Sequence, residues 1–139
     1  MKKNKNENLA ILLSIKPIHA NRIISGLKTI EIRRKIGQQF RENMKIFIYA
    51  SSPTKKLLGS AMIDKIVIRN KSEISDIELS SACLSRKDIM NYATGIESIN
   101  LIYLKNVIPI NKNITISDIR ALGITVPQSF CYINTLAIS

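Results

Sequence analysis

Ser25-Gly26-Leu27-Lys28-Thr29-Ile30-Glu31-Ile32-Arg33-Arg34 is the stretch on which the fold turns. Glycine tolerates the left-handed backbone that ends a helix, so Gly26 predicts a helix stop. Ile30 and Ile32 then alternate with Glu31 and Arg33, the period of a strand with one apolar face. Residues two apart share a face, so the other face sets the Glu31 carboxylate beside the Arg33 guanidinium. Lys28 has the wrong parity for that face and joins the pair only if the chain is still turning there. On these residues alone the plainer reading is a surface strand with an edge salt bridge, worth roughly 0–1 kcal/mol.

Working outward, residues 9–15 form a short apolar run that predicts a central strand. Pro17 suits the first turn of a helix, where its missing N–H costs nothing, and that helix runs to about Ser25. Ile18, Ala20, Ile23 and Ile24 fall roughly on one side of it, and His19, the only histidine, reads as an exposed helix residue. A polar connection, 35–43, leads to residues 44–50, where Ile46 and Ile48 alternate with Phe47 and Tyr49. Apolar mass on both faces predicts a barrel strand. Ser51-Ser52-Pro53 closes it in a turn. Residues 57–68 predict a long, curved strand, in which Gly59 signals a bulge or a close backbone approach. Residues 73–82 and 85–93 read as helices, the second with a capping box from Ser85 to Asp88. Residues 98–110 form a strand pattern in which Pro109 forces an edge or an end. A short helix starts at Thr115 and stops at Gly123, and a last strand follows at 128–133. About six strands with three or four helices predict an α+β domain, a small β-barrel with helices covering its ends. The polar residues 1–8 read as a disordered basic tail, and 9–139 as a single domain.

Gly26-x-Lys28-x-x-Glu31-x-Arg33 resembles the G-x-K-x-x-E-x-R signature of ASCH domains, relatives of the PUA RNA-binding domain. Ser14-Ile15-Lys16-Pro17, Tyr49-Ala50-Ser51-Ser52-Pro53 and Pro127-Gln128-Ser129-Phe130 extend the resemblance over most of the chain. It implies a PUA-like pseudobarrel with a cleft between the barrel and the first helix. Lys28, Glu31 and Arg33 would line that cleft, with Lys16 beneath it and Ser51, Ser52, Gln128 and Ser129 at its rim. Such a set can read one nucleotide: planar donors from Arg33, an acceptor from Glu31, both from Gln128, and serine hydroxyls for phosphate oxygens.

The bulk properties agree with a nucleic-acid partner. With 45% hydrophobic residues the chain can bury a core, and no apolar run approaches the ~18 residues of a membrane span. Two isolated cysteines, Cys83 and Cys131, offer no metal-ligand spacing, and a reduced, cytoplasmic setting is expected, with no cofactor. The net charge of +11 is uneven: residues 16–45 carry +6 and residues 73–97 carry −3. A basic segment of this kind suits a polyanion, RNA first, although it also serves solubility. The acidic segment 73–97 is expected to stay clear of nucleic acid and to be the natural contact for a protein partner. Seven aromatic residues without tryptophan do not make the broad stacking platform of a single-strand binder, so a compact pocket is favoured.

The leading expectation is therefore a module that binds RNA or a modified nucleoside through Lys28, Glu31 and Arg33. The alternative is hydrolysis, with Lys28 and Glu31 as the catalytic residues. As a ribonuclease the chain would draw on Lys28, Arg33 or Tyr49 to stabilise phosphate charge. As an amidohydrolase resembling the N4-acetylcytidine branch of the family, it has Lys28 but carries Glu31 where that branch has a threonine. A carboxylate beside Lys28 should raise the amine's pKa and oppose a base role. A regulator acting through a protein partner is the remaining class.

Overall fold

In the computed structural model, which describes residues 8–135, six strands form one sheet in the order β2-β5-β4-β3-β1-β6. The elements are β1 (Leu9–Ile15), α1 (Pro17–Ile24), β2 (Ile30–Arg33), β3 (Lys45–Ala50), β4 (Lys56–Asn70), α2 (Asp76–Ala82), α3 (Arg86–Tyr92), β5 (Ser98–Thr115), α4 (Ile116–Ala121) and β6 (Phe130–Asn134). Most of the expected tail lies outside the described residues. No helix among those described is long and apolar enough to cross a membrane.

The central pair, β1 and β3, runs parallel and is apolar on both faces because both faces are covered. Ile11, Leu13, Ile15, Ile46 and Ile48 pack beneath Ala20 and Ile23 of α1. Ala10, Leu12, Phe47 and Tyr49 pack on the opposite side with Ile119 of α4. A third cluster sits at the far end of the sheet. There Ile30 and Ile32 of β2 and Ile99 and Leu101 of β5 meet Leu79 and Ala82 of α2 and Ile89 of α3. Ile18, expected on the buried side of α1, is 56% exposed.

The expected barrel is not closed. β2 and β6 end the sheet, and no ladder joins them among the described residues. A side chain spans the gap instead: the Arg33 guanidinium on β2 donates to the Ser14 carbonyl on β1 (2.8 Å) and to Ser129 Oγ just before β6 (3.3 Å). Pro109 lies within β5, opposite Gly59 of β4, beyond the four residues that pair with β2. The strand is single-sided there, so the missing N–H costs no ladder bond. Gly59 is a close approach as well as an irregularity: a Cβ there would sit 2.6 Å from the Ile108 carbonyl oxygen. Three aromatic residues do cluster, Phe40, Phe130 and Tyr132, but edge to face and as core packing rather than as an open platform.

Candidate functional site

Local rules place the signature residues. α1 ends at Ser25, and Gly26 takes φ +87°, so the chain reverses at once. The turn is fixed by the Lys28 N–H donating to the Arg22 carbonyl. Lys28 is thus still in the turn, and its side chain folds back beside the strand. Its ammonium lies 3.8 Å from Glu31 Oε1 and donates to the Ala82 carbonyl at the end of α2. Strand alternation sends Ile30 and Ile32 into the α2–α3 cluster and leaves Glu31 and Arg33 on the other face. The Arg33 guanidinium grips Glu31 Oε2 at 2.9 Å through both Nε and Nη2. Lys28 is 1% exposed and Glu31 6%, so this is a buried triad rather than an edge salt bridge.

Above the triad lies a hollow of about 650 Å³. Lys16, Ile18, His19 and Arg22 of α1 and its cap form one wall. Cys83, Leu84, Asp88, Asn91 and Tyr92, from α3 and the turn before it, form the other. Ser51 and Gln128 stand at the rim. Of the residues picked from the sequence, Lys16, Lys28, Glu31, Arg33, Ser51 and Gln128 share the hollow. Tyr49, Ser52 and Ser129 are not in its lining. Tyr49 points into the core beside Phe47, because it shares that residue's parity on β3, and burial raises its pKa. Ser52 is exposed, and Ser129 meets the site through its hydroxyl, which accepts from Arg33, and its carbonyl, which accepts from the Ser14 N–H. The acidic segment 73–97, expected to stand apart, builds a wall of the hollow. Its placement follows from Ile89 and Leu79, which dock on β2 and β5.

Two electrostatic features depart from the sequence reading. Burial pulls the Lys28 ammonium below its ordinary pKa, and this outweighs the opposing pull of Glu31. His19 is half-buried rather than exposed and faces the hollow. Burial first, then the nearby Lys28 charge, lowers its pKa, and its Nδ1 is buried without a hydrogen-bond partner. A signal for His19 was present in its spacing, three residues from both Lys16 and Arg22, which places all three along one side of α1. Among the described residues no group of three or more histidine, cysteine, aspartate or glutamate side chains is arranged to hold a metal ion.

A family model described as ASCH domain matches residues 13–113. The chain belongs to the ASCH domain family. A Zymomonas mobilis protein named ASCH domain-containing ribonuclease is 30% identical over 126 residues, covering 88% of this chain and 83% of the relative. The crystal structure of ASCH from Zymomonas mobilis superposes with a TM-score of 0.84 at 27% identity, over 93% of this chain and 90% of that one. A protein from Enterococcus faecalis V583 shares the fold alone, with a TM-score of 0.51 at 11% identity over 69% of this chain and 73% of that one.

Proposed function

We propose that this ASCH protein binds RNA in the hollow between α1 and α3 and cleaves its phosphodiester backbone. The observation that carries this reading is the composition of the hollow: Lys16, Arg22, Lys28 and Arg33 against Glu31 and Asp88, an excess of positive charge around a buried carboxylate. The likeness to a protein named as a ribonuclease supports RNA over other polyanions. The Glu31–Lys28 pair moves the proton. Glu31 takes the hydrogen of a ribose 2′-hydroxyl, whose oxygen attacks the adjacent phosphorus. The P–O5′ bond breaks, leaving a 2′,3′-cyclic phosphate, and the departing 5′-oxygen takes a proton from the Lys28 ammonium. A buried ammonium with a lowered pKa gives up that proton more readily than an ordinary lysine. Ser51 and Gln128 at the rim offer hydroxyl and amide groups to the nucleotide. Residues 9–139 act as one unit in this reading, and the arginine bridge across the open seam serves as the closure of a pseudobarrel.

The test is incubation with a 5′-labelled RNA and with its 2′-deoxy counterpart, followed by denaturing gels. Cleavage of the RNA alone is expected, with losses of about 100-fold or more in Lys28→Met and Glu31→Gln at a temperature where circular dichroism shows both variants folded. An RNA that survives intact at every salt and metal condition would reject the assignment. A second reading, amide hydrolysis on an acylated nucleoside, gains one argument, since the lowered Lys28 pKa removes the objection to this lysine as a base. Release of cytidine from N4-acetylcytidine, abolished in Lys28→Met, distinguishes it.

A further inference from the structure

The signature side chains are occupied with one another. Arg33 spends Nε, Nη1 and Nη2 on Glu31, Ser129 and the Ser14 carbonyl, and Lys28 spends its ammonium on Glu31 and the Ala82 carbonyl. A phosphate entering the hollow would have to break these bonds to be held by either residue, which leaves the triad to proton transfer rather than to gripping the backbone. α1 offers donors that are free. The side chains of Lys16, His19 and Arg22 line the hollow and make no hydrogen bond or ion pair with the described residues. Their spacing of three residues sets them in a row along the helix.

Resting on the RNA reading above, we propose that Lys16, His19 and Arg22 of α1 grip the RNA phosphates, with the His19 Nε2–H as the central donor. The triad of Lys28, Glu31 and Arg33 forms the floor, and α1 supplies the phosphate contacts. The tautomer of His19 follows from its surroundings. Nδ1 is buried with no acceptor nearby, so a proton there would be stranded, and the neutral ring carries its hydrogen on Nε2. In the free protein burial first, then Lys28 on the turn and Arg22 and Lys16 on α1 and its cap, oppose a positive imidazole, while Glu31 on β2 and Asp88 on α3 favour it. An incoming phosphodiester adds a negative charge and an acceptor for the Nε2–H, which raises the imidazole pKa from its lowered free value while the second proton, on Nδ1, stays unpaired in both states, so affinity rises as pH falls.

The experiment measures binding of a fluorescent 2′-O-methyl RNA, which lacks the attacking hydroxyl, by anisotropy from pH 5.5 to 8 and from 20 to 200 mM salt. Wild type is expected to bind more tightly toward low pH. His19→Phe should weaken binding about tenfold at pH 6 and flatten the pH profile. His19→Gln, whose amide nitrogen reaches the Nε2 position, should hold affinity within about threefold at pH 8 and be equally flat. Arg22→Gln should lower the slope of log affinity against log salt by about one. Wild-type binding with the pH profile intact in both His19 variants, or an unchanged salt slope in Arg22→Gln, overturns the α1 row while leaving RNA binding in place. Absence of wild-type binding at 20 mM salt overturns the RNA reading itself.

Discussion

Glu31→Gln keeps the shape of the side chain and deletes the charge that Lys28 and Arg33 share. Arg33 is the less affected, since its side chain retains some exposure at 11% and can still donate to Ser14 and Ser129. Lys28, 1% exposed, keeps the Ala82 carbonyl but no charged partner. Breaking a buried pair by removing one partner typically costs about 3–5 kcal/mol. An independent ceiling agrees. The ammonium can escape by giving up its proton, and from an ordinary pKa of 10.5 that costs about 5 kcal/mol at pH 7. A loss of 3–5 kcal/mol is a large share of the ~5–15 kcal/mol that holds a domain together. Urea denaturation at fixed temperature measures it. The pH dependence provides the sharper check. A lysine whose folded pKa lies below its unfolded one leaves the unfolded chain binding more protons, so stability rises with pH across the window between the two. Removing Glu31 lowers the folded pKa further and widens that window. The gap between variant and wild type should therefore shrink as pH rises from 7 toward 10. A gap under about 1 kcal/mol at pH 7, or one that does not narrow with pH, refutes the buried-triad account.

Three further outcomes follow from the same geometry. Arg33→Ala should cost about 2–4 kcal/mol in denaturation experiments, since it leaves the Ser14 carbonyl unpaired and Glu31 with one partner. Lysine should not rescue it, because one ammonium cannot reach Glu31, Ser14 and Ser129 together. The buried Glu78 carboxylate works against its own desolvation, yet hydrogen bonds from the Ser75 N–H and the Tyr103 hydroxyl, with Arg69 close by, hold its pKa below the ordinary 4.5. A depressed carboxylate contributes stability above its unfolded pKa and loses it as pH falls through the folded one. Glu78→Gln should therefore show a shallower acid loss of melting temperature below about pH 5 than wild type. Gly59→Ala should destabilise by about 1–3 kcal/mol, because the added methyl would sit 2.6 Å from both the Ile108 carbonyl oxygen and Ile24 Cδ1 of α1. A melting temperature equal to wild type would count against that contact.

The order of helices and strands was legible because its causes are short-range. Pro17, Gly26, the Ser85–Asp88 box and the alternation of Ile30 and Ile32 act within a few residues, and each element they mark is present. Boundaries drifted where pairing rather than composition decides them. β5 runs to Thr115, five residues past the expected end, because β4 continues beside it, and β6 begins at Phe130, where pairing with β1 begins. Partial resolution extended to the site. Glu31 and Arg33 were legible as a pair from parity, but Tyr49, Ser52 and Ser129 carried the right chemistry and stand off the lining of the hollow.

The sequence by itself determined the family signature, the element order and the concentration of positive charge ahead of residue 45. Only the tertiary structure decided that α3 walls the hollow, that His19 faces into it, that Arg33 bridges an open sheet, and that Lys28 is less basic than usual rather than more. The physical reason is separation along the chain. Lys28 reaches Ala82 across 54 positions, and Arg33 reaches Ser129 across 96. Whether a charge is buried, and which groups share its burial, is set by segments that meet only when the chain has folded.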